Sequence, residues 1–431
     1  MEARQRLAAP GPMAVESDVR VVVRRKPTLR TILTATVIVG SLGYFVDVYD
    51  LLLFSIIRAP SLTELGVPQS QLLNVGVTIL NWQMGGLLAG GILWGVLGDK
   101  RGRVSVLFGS ILLYSLANIA NAFVQDTTQY AALRFIAGVG LAGELGAAVT
   151  LVSEVMPKET RGYGAAIVSG AGISGAVAAG LIAAVFPWRV AFIIGGVMGL
   201  ALLVARMKLV ESGMFANAKN DSTAKRGDLT MLFRSRARLK SFAACILIGL
   251  PLWYVVGILL TFSPEISRAL GVGGVITAGS VVLVGYAGAT LGSFASGILS
   301  ERLKSRRLAL AIFMVATAAL TAIYLLARDL ALPSYYALCF GLGFGAGYWA
   351  VFMSASAEQF GTNLRATVTT SVPNIVRGGV VPMTLAFTAL RAPLGLVGSA
   401  AAVGAVVFGL GALAIWGLPE TYGKELDYVE E

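Results

Sequence analysis

The sequence predicts an all-α membrane protein with twelve transmembrane helices in two pseudo-symmetric six-helix bundles. Three observations carry this. Long apolar runs recur along the whole chain, basic residues crowd alternate loops, and landmarks of the first half return about 204 residues later. Hydrophobic residues make up 56% and charged residues 13%, and the mean hydropathy is +0.77. A soluble domain carries nearer a quarter charged residues.

Roughly 20 apolar residues cross a bilayer, and runs of that length set the elements in order. Residues 1–30 hold Arg20, Arg24, Arg25, Lys26 and Arg30 and read as a cytoplasmic tail with no cleavable signal after it. Six spans near 31–57, 71–98, 104–124, 128–156, 162–186 and 188–206 form an N-terminal bundle, 31–206. Residues 207–240 are polar and basic and read as a cytoplasmic linker. Spans near 241–263, 275–300, 307–328, 332–357, 366–390 and 394–418 form a C-terminal bundle, 241–418, and 419–431 make a second cytoplasmic tail. The 52 glycines suit helices that approach closely in lipid.

Charge tests this plan. Of 34 Lys and Arg, 27 fall in the termini, the linker and the loops on their side. Five (Arg58, Arg189, Arg268, Arg328 and Arg391) fall in the opposite loops, and Arg134 and Arg377 lie within spans. The positive-inside rule then expects both termini in the cytoplasm. The net charge of +11 is accounted for by topology, so no nucleic-acid partner is expected.

The repeat supports the division into halves. Glu154 and Arg161 recur as Glu358 and Arg365, and Pro60 as Pro264, each 204 residues on; "GVLGDKRGR" at 95–103 returns as "GILSERLKS" at 297–305. Two such bundles suggest alternating access around a site at mid-membrane. Cys245 and Cys339 lie in apolar spans and read as buried thiols. There is no metal-ligand cluster and no histidine, so a proton taken up near neutral pH must ride on a carboxylate.

Gly95-x3-Asp99-Lys100-x-Gly102-Arg103 closely resembles the loop between the second and third helices of the major facilitator superfamily, and Gly297-x3-Glu301-Arg302 its second copy. Arg134-x3-Gly138-x-Gly140, Ser153-Glu154-x2-Pro157-x3-Arg161-Gly162 and "LPETYGKEL" at 418–426 are similar to the sugar-porter and organic-acid:proton-symporter branches. Asp47-x-Tyr49-Asp50 resembles the Asp-Gly-Tyr-Asp signature of aromatic-acid symporters, with Val48 in place of the glycine. Glu144 in "GLAGELG" looks more like metabolite and nicotinate-type carriers. The resemblance spans essentially the whole chain and implies a secondary transporter with that superfamily's fold.

Ionisable residues far from any loop are costly, roughly 2.5–3.5 kcal/mol each at mid-bilayer. Asp47, Asp50, Arg134, Glu144 and Arg377 are such residues. Asp47 and Asp50 lie one helical turn apart and resist simultaneous ionisation, while Arg134 would favour their ionised form. That set, with Glu144, is the expected proton-coupling group, and a first-span acid paired with Arg134 is what resemblance to sugar-porter-type symporters implies. The alternative is a static salt bridge between the first and fourth spans.

Arg377, one turn after Asn374 and near a helix-opening Pro373, would hold a carboxylate through two N–H groups. It resembles the arginine that organic-anion carriers bear in the eleventh span. Tyr44, Asn81, Gln83, Trp253, Tyr254, Tyr286, Tyr348 and Trp349 complete the expected site for a small aromatic or polar organic acid. Asp99, Arg103, Glu154, Arg161, Glu301, Glu358 and Arg365 are expected to gate the cytoplasmic face by pairing in one state and parting in the other.

The expected function is proton-coupled symport of a small organic anion by alternating access. The alternative is a proton-driven antiporter exporting an anionic or amphipathic metabolite, siderophore or drug. An enzyme is not expected, for no nucleophile–base constellation or nucleotide-binding loop is present. No cofactor beyond the coupling proton is expected, and the chain is expected to act as a monomer among membrane lipids. The sequon Asn220-Asp221-Ser222 falls in the cytoplasmic linker, which favours a bacterial inner membrane.

Overall fold

The structure, a computed structural model, describes residues 35–101, 103–143, 161–211 and 234–424. The first tail, the middle of the linker and residues 425–431 lie outside the described residues, as do Glu144 and Glu154 and the side chains of Asp99, Arg103 and Arg161.

The first half consists of α1 (Ala35–Glu64), α2 (Leu72–Arg101), α3 (Arg103–Asn121), α4 (Thr127–Leu141), α5 (Arg161–Val185) and α6 (Trp188–Glu211). The second consists of α7 (Arg236–Tyr254), a π-helical segment Val255–Leu260, α8 (Ser263–Ala269), α9 (Ala278–Leu303), α10 (Arg306–Leu326), α11 (Leu332–Ala346), α12 (Trp349–Glu358), α13 (Thr362–Gly378) and α14 (Val380–Gly417). Among the described residues the first half shows six helices. In the second, α7 to α8 form one pass, α11 and α12 another, and α14 reverses at Gly395, whose φ of +68° disfavours any residue with a Cβ. Among the described residues nine helical runs are long and apolar enough to cross a membrane; the run Thr367–Gly417 is a double pass.

Close packing within the first half depends on small residues. A Cβ at Gly175 of α5 would overlap the carbonyl oxygen of Phe45 on α1, so these two backbones touch. The halves meet along two seams, α2 with α13 and α5 with α9. Beside the first seam Thr384 Oγ1 of α14 donates to Asn81 Oδ1 of α2 (2.7 Å). Farther along, Leu88 faces Gly378 and Asn374 faces Gly91.

Two expectations need correction. The first span was expected to end at 57 with Arg58 in a loop; α1 instead runs through Pro60 to Glu64, and Arg58 is fully buried. There its Nη2 pairs with both oxygens of Glu265 (2.7 and 2.9 Å) and its Nη1 donates to the Leu72 carbonyl (3.1 Å), while Nε makes no hydrogen bond. Pro373 was expected to open its helix, yet α13 runs through it. Pro251 lies four residues before the π segment. A proline ring removes one donor and crowds the preceding turn, and a wider π turn accommodates such a defect.

At the basic end Arg306 joins Glu301 (2.8 Å) and Glu358 (3.2 Å). Glu420 caps α10, accepting from Ser305 Oγ and from the backbone N–H groups of Arg306 (2.9 Å) and Arg307 (3.2 Å).

Candidate substrate and coupling site

Between the halves lies a small cavity of about 40 Å³, lined by apolar side chains together with Tyr44, Trp253, Tyr286, Trp349 and Arg377. The π segment and the end of α7 supply one wall, which is why the backbone defect after Pro251 bears on the site. Arg377 is the only Asp, Glu, Lys or Arg among the lining residues. Its Nη2 donates to Asp47 Oδ2 (3.1 Å), and both side chains are buried, at 1% and 0% exposure. The guanidinium carbon stands 5.8 Å from the Trp253 ring centre, within cation–π range. Nε and Nη1 of Arg377 and Nε1 of Trp253 make no hydrogen bond. Three buried donors therefore stand at a cavity with aromatic walls. Buried donors without acceptors are costly, and an anionic oxygen is the natural partner for them.

Asp50 takes a different direction from Asp47. It points into the first bundle, toward Gly195 of α6, with neither carboxylate oxygen hydrogen-bonded. Arg134 and Asp47 lie within Coulombic reach of it. Arg134 Nη2 donates to Asn118 Oδ1, and its guanidinium carbon stacks 4.7 Å over Phe192. The acid of α1 that makes a direct ion pair is therefore Asp47, and its partner is Arg377 of the other half. Arg134 was the expected partner; it is instead anchored on an amide and an aromatic face, close enough to act on Asp50 through its field alone.

Of the ten residues expected to bind substrate, Tyr44, Trp253, Tyr286, Trp349 and Arg377 line the cavity. The other five do not. Gln83 Nε2 donates to the Leu51 carbonyl (2.9 Å), Tyr254 Oη to that of Ala400 (2.7 Å) and Tyr348 Oη to that of Ile248 (2.9 Å). These three brace helices within one half. Asn374 Nδ2 donates to the Ala142 carbonyl (2.9 Å), so it and Asn81 clasp the two halves beside the cavity. Polar groups in apolar spans must pair somewhere, and the sequence does not say whether with a ligand or a carbonyl.

The gating candidates that are described gather within the second half. Glu301 and Glu358 share Arg306, Tyr422 Oη donates to Glu301 (3.2 Å) and Thr421 Oγ1 to Glu358 (2.8 Å). Arg365 donates to the carbonyls of Ala357 (3.2 Å) and Phe360 (3.3 Å). Sequence reasoning missed the Arg58–Glu265 pair, which joins the halves at the charge-poor end. A signal was available, since Arg58 and Asp47 are 11 residues apart, three helical turns, and so share one stripe of α1. That stripe presents an acid to one basic partner and a base to one acidic partner across the same interface.

Over residues 40–372 the sequence matches the Major Facilitator Superfamily. The chain belongs to this superfamily. It is a membrane-spanning transporter and not an enzyme. Its relatives in the Major Facilitator Superfamily include a probable 4-methylmuconolactone transporter of Cupriavidus pinatubonensis, 28% identical over 90% of this chain and 91% of that one. A 3-(3-hydroxy-phenyl)propionate transporter of Escherichia coli is 30% identical over 75% of this chain and 80% of its own. Among solved structures, the Major Facilitator Superfamily transporter FucP in its outward conformation superposes with a TM-score of 0.68. It covers 90% of this chain and 100% of its own, at 17% identity, which speaks to the fold.

Proposed function

We propose that the protein carries a small organic anion, an aromatic carboxylate foremost, and moves it together with protons by alternating access. The observation that carries this is Arg377, a lone cation in an aromatic-lined cavity between the halves, with two donor nitrogens unengaged. A substrate carboxylate docked there meets Asp47, which already holds the remaining nitrogen, Nη2. Two carboxylates on one guanidinium repel, so Asp47 is relieved by taking up a proton as substrate arrives. Asp50 is the second proton site, biased by Arg134 through space. The names of the relatives support the substrate class.

The charge-poor end faces outward in this reading, in a bacterial inner membrane with both termini in the cytoplasm. Inter-half clasps then open in turn, with Arg58–Glu265 sealing the outer mouth and the basic-end acids and arginines governing the inner one.

The test is uptake of radiolabelled benzoate into proteoliposomes under an imposed pH gradient. Accumulation when the outside is acidic, abolished by Arg377→Ala and by a protonophore, is expected. Accumulation driven only by an acidic interior would establish antiport instead, and uptake indifferent to Arg377→Ala would refute the site.

A further inference from the structure

A second and larger cavity, about 670 Å³, opens between the halves at the charge-poor end. Thr63, Glu64 and Gln69 form part of its wall from the first half, and Glu265, Arg268 and Arg391 part of its wall from the second. The charges here are unevenly engaged. Glu64 accepts from Trp188 Nε1 (2.6 Å) and pairs with Arg189 (3.0 Å), and Glu265 is held by Arg58. Arg268, by contrast, makes no side-chain hydrogen bond or ion pair among the described residues. Arg391 donates to the neutral Asn74 Oδ1 (2.8 Å). The cavity thus presents two cations whose charge no carboxylate among the described residues balances.

The central cavity of about 40 Å³ has room for roughly three waters and none for an aromatic ring. Arg58 and Glu265 close the mouth beneath the vestibule. In this conformation an arriving anion meets an open, positively charged chamber above a shut passage.

We propose that this vestibule is a second binding site, a staging site where a small organic carboxylate is held by Arg268 and Arg391 before the mouth opens. The proposal rests on the carboxylate reading of the cargo. With Glu64 and Glu265 neutralised by Arg189 and Arg58 the cleft is net positive, and such a cleft focuses its field and raises the capture rate of an anion, by about 10- to 1,000-fold, in a manner that salt suppresses. The site's contribution is therefore to the rate of loading and leaves the central site's turnover unchanged.

The experiment measures initial rates of benzoate uptake by proteoliposomes at roughly 0.01 M and 0.15 M salt, between which the Debye length falls from about 30 Å to 8 Å. For Arg268→Gln/Arg391→Gln, kcat/KM at low salt is expected to fall about tenfold, with kcat unchanged and the salt dependence flattened. Arg268→Lys/Arg391→Lys is expected to recover most of the loss. Calorimetry with benzoate on Arg377→Ala is expected to retain one weak site, absent when the vestibular pair is also replaced. A glutamine pair with wild-type kcat/KM at low salt, or an Arg377→Ala protein that binds no benzoate, overturns the staging site and leaves the cargo reading intact. Wild-type protein that neither binds nor moves benzoate overturns both.

Discussion

Replacing the members of the Asp47–Arg377 pair separates what this pair does for stability from what it does for transport. The charges are 3.1 Å apart with both side chains buried, giving about 5 kcal/mol of attraction at an effective dielectric of 20. Desolvation of two ions offsets most of that, so the intact pair contributes little net stability. Removing one partner is different, because the survivor keeps its burial cost and loses its compensation, about 3–5 kcal/mol. Asp47→Leu and Arg377→Met should each destabilise by that amount. The double variant should lie within about 1 kcal/mol of the parent or above it, since apolar replacements of buried pairs are commonly neutral or stabilising. The assay is reversible denaturant unfolding in bicelles, followed by the six tryptophans, with benzoate uptake measured on the same preparations. All three variants should fail to accumulate benzoate, so the double variant is expected to be stable and inactive. If each single change costs under about 1 kcal/mol, water reaches the pair and the argument from burial is wrong. Uptake by the stable double variant would remove Arg377 from the substrate site.

Three further outcomes are expected. Asp50→Asn should abolish accumulation driven by a pH gradient while leaving benzoate counterflow, because only the proton step is removed; loss of both would assign Asp50 to binding. In Gly195→Ala the added methyl overlaps Asp50 Oδ1 and stands 2.9 Å from Tyr49 Cε1, so about 1–3 kcal/mol of stability and most pH-driven uptake should be lost, as unfolding and transport assays would show. Glu420 lies outside the membrane. Burial pushes its carboxyl up, but the bonds from Ser305 and from the N–H groups of Tyr422, Arg306 and Arg307 outweigh this, bringing it from 4.5 down to about 2. A depressed folded value means the cap stabilises above pH 4.5 and is lost as pH falls toward about 2. Glu420→Gln should therefore mimic acid at pH 7, lowering hydrogen-exchange protection over the first turn of α10 about five- to thirtyfold, in line with a lost cap of about 1–2 kcal/mol.

The sequence by itself determined the membrane class, the alternation of charge and the repetition of two halves. These depend on composition and spacing, which solvent and lipid read directly without reference to any partner. It also marked Asp47, Asp50, Arg134 and Arg377 as residues that must have partners, because an ionised group in an apolar span is costly wherever it points. Only the tertiary structure decided which partner each one has. Asp47 and Asp50 are a single turn apart, yet one faces Arg377 across the interface and the other faces into its own bundle. Tyr254 and Trp253 are adjacent, yet one bonds a neighbouring helix and the other lines the cavity. Such choices are made by helix rotation and by backbone breaks such as the π segment after Pro251. Those features follow from contacts between residues as much as 330 positions apart, and local sequence carries no record of such distant neighbours.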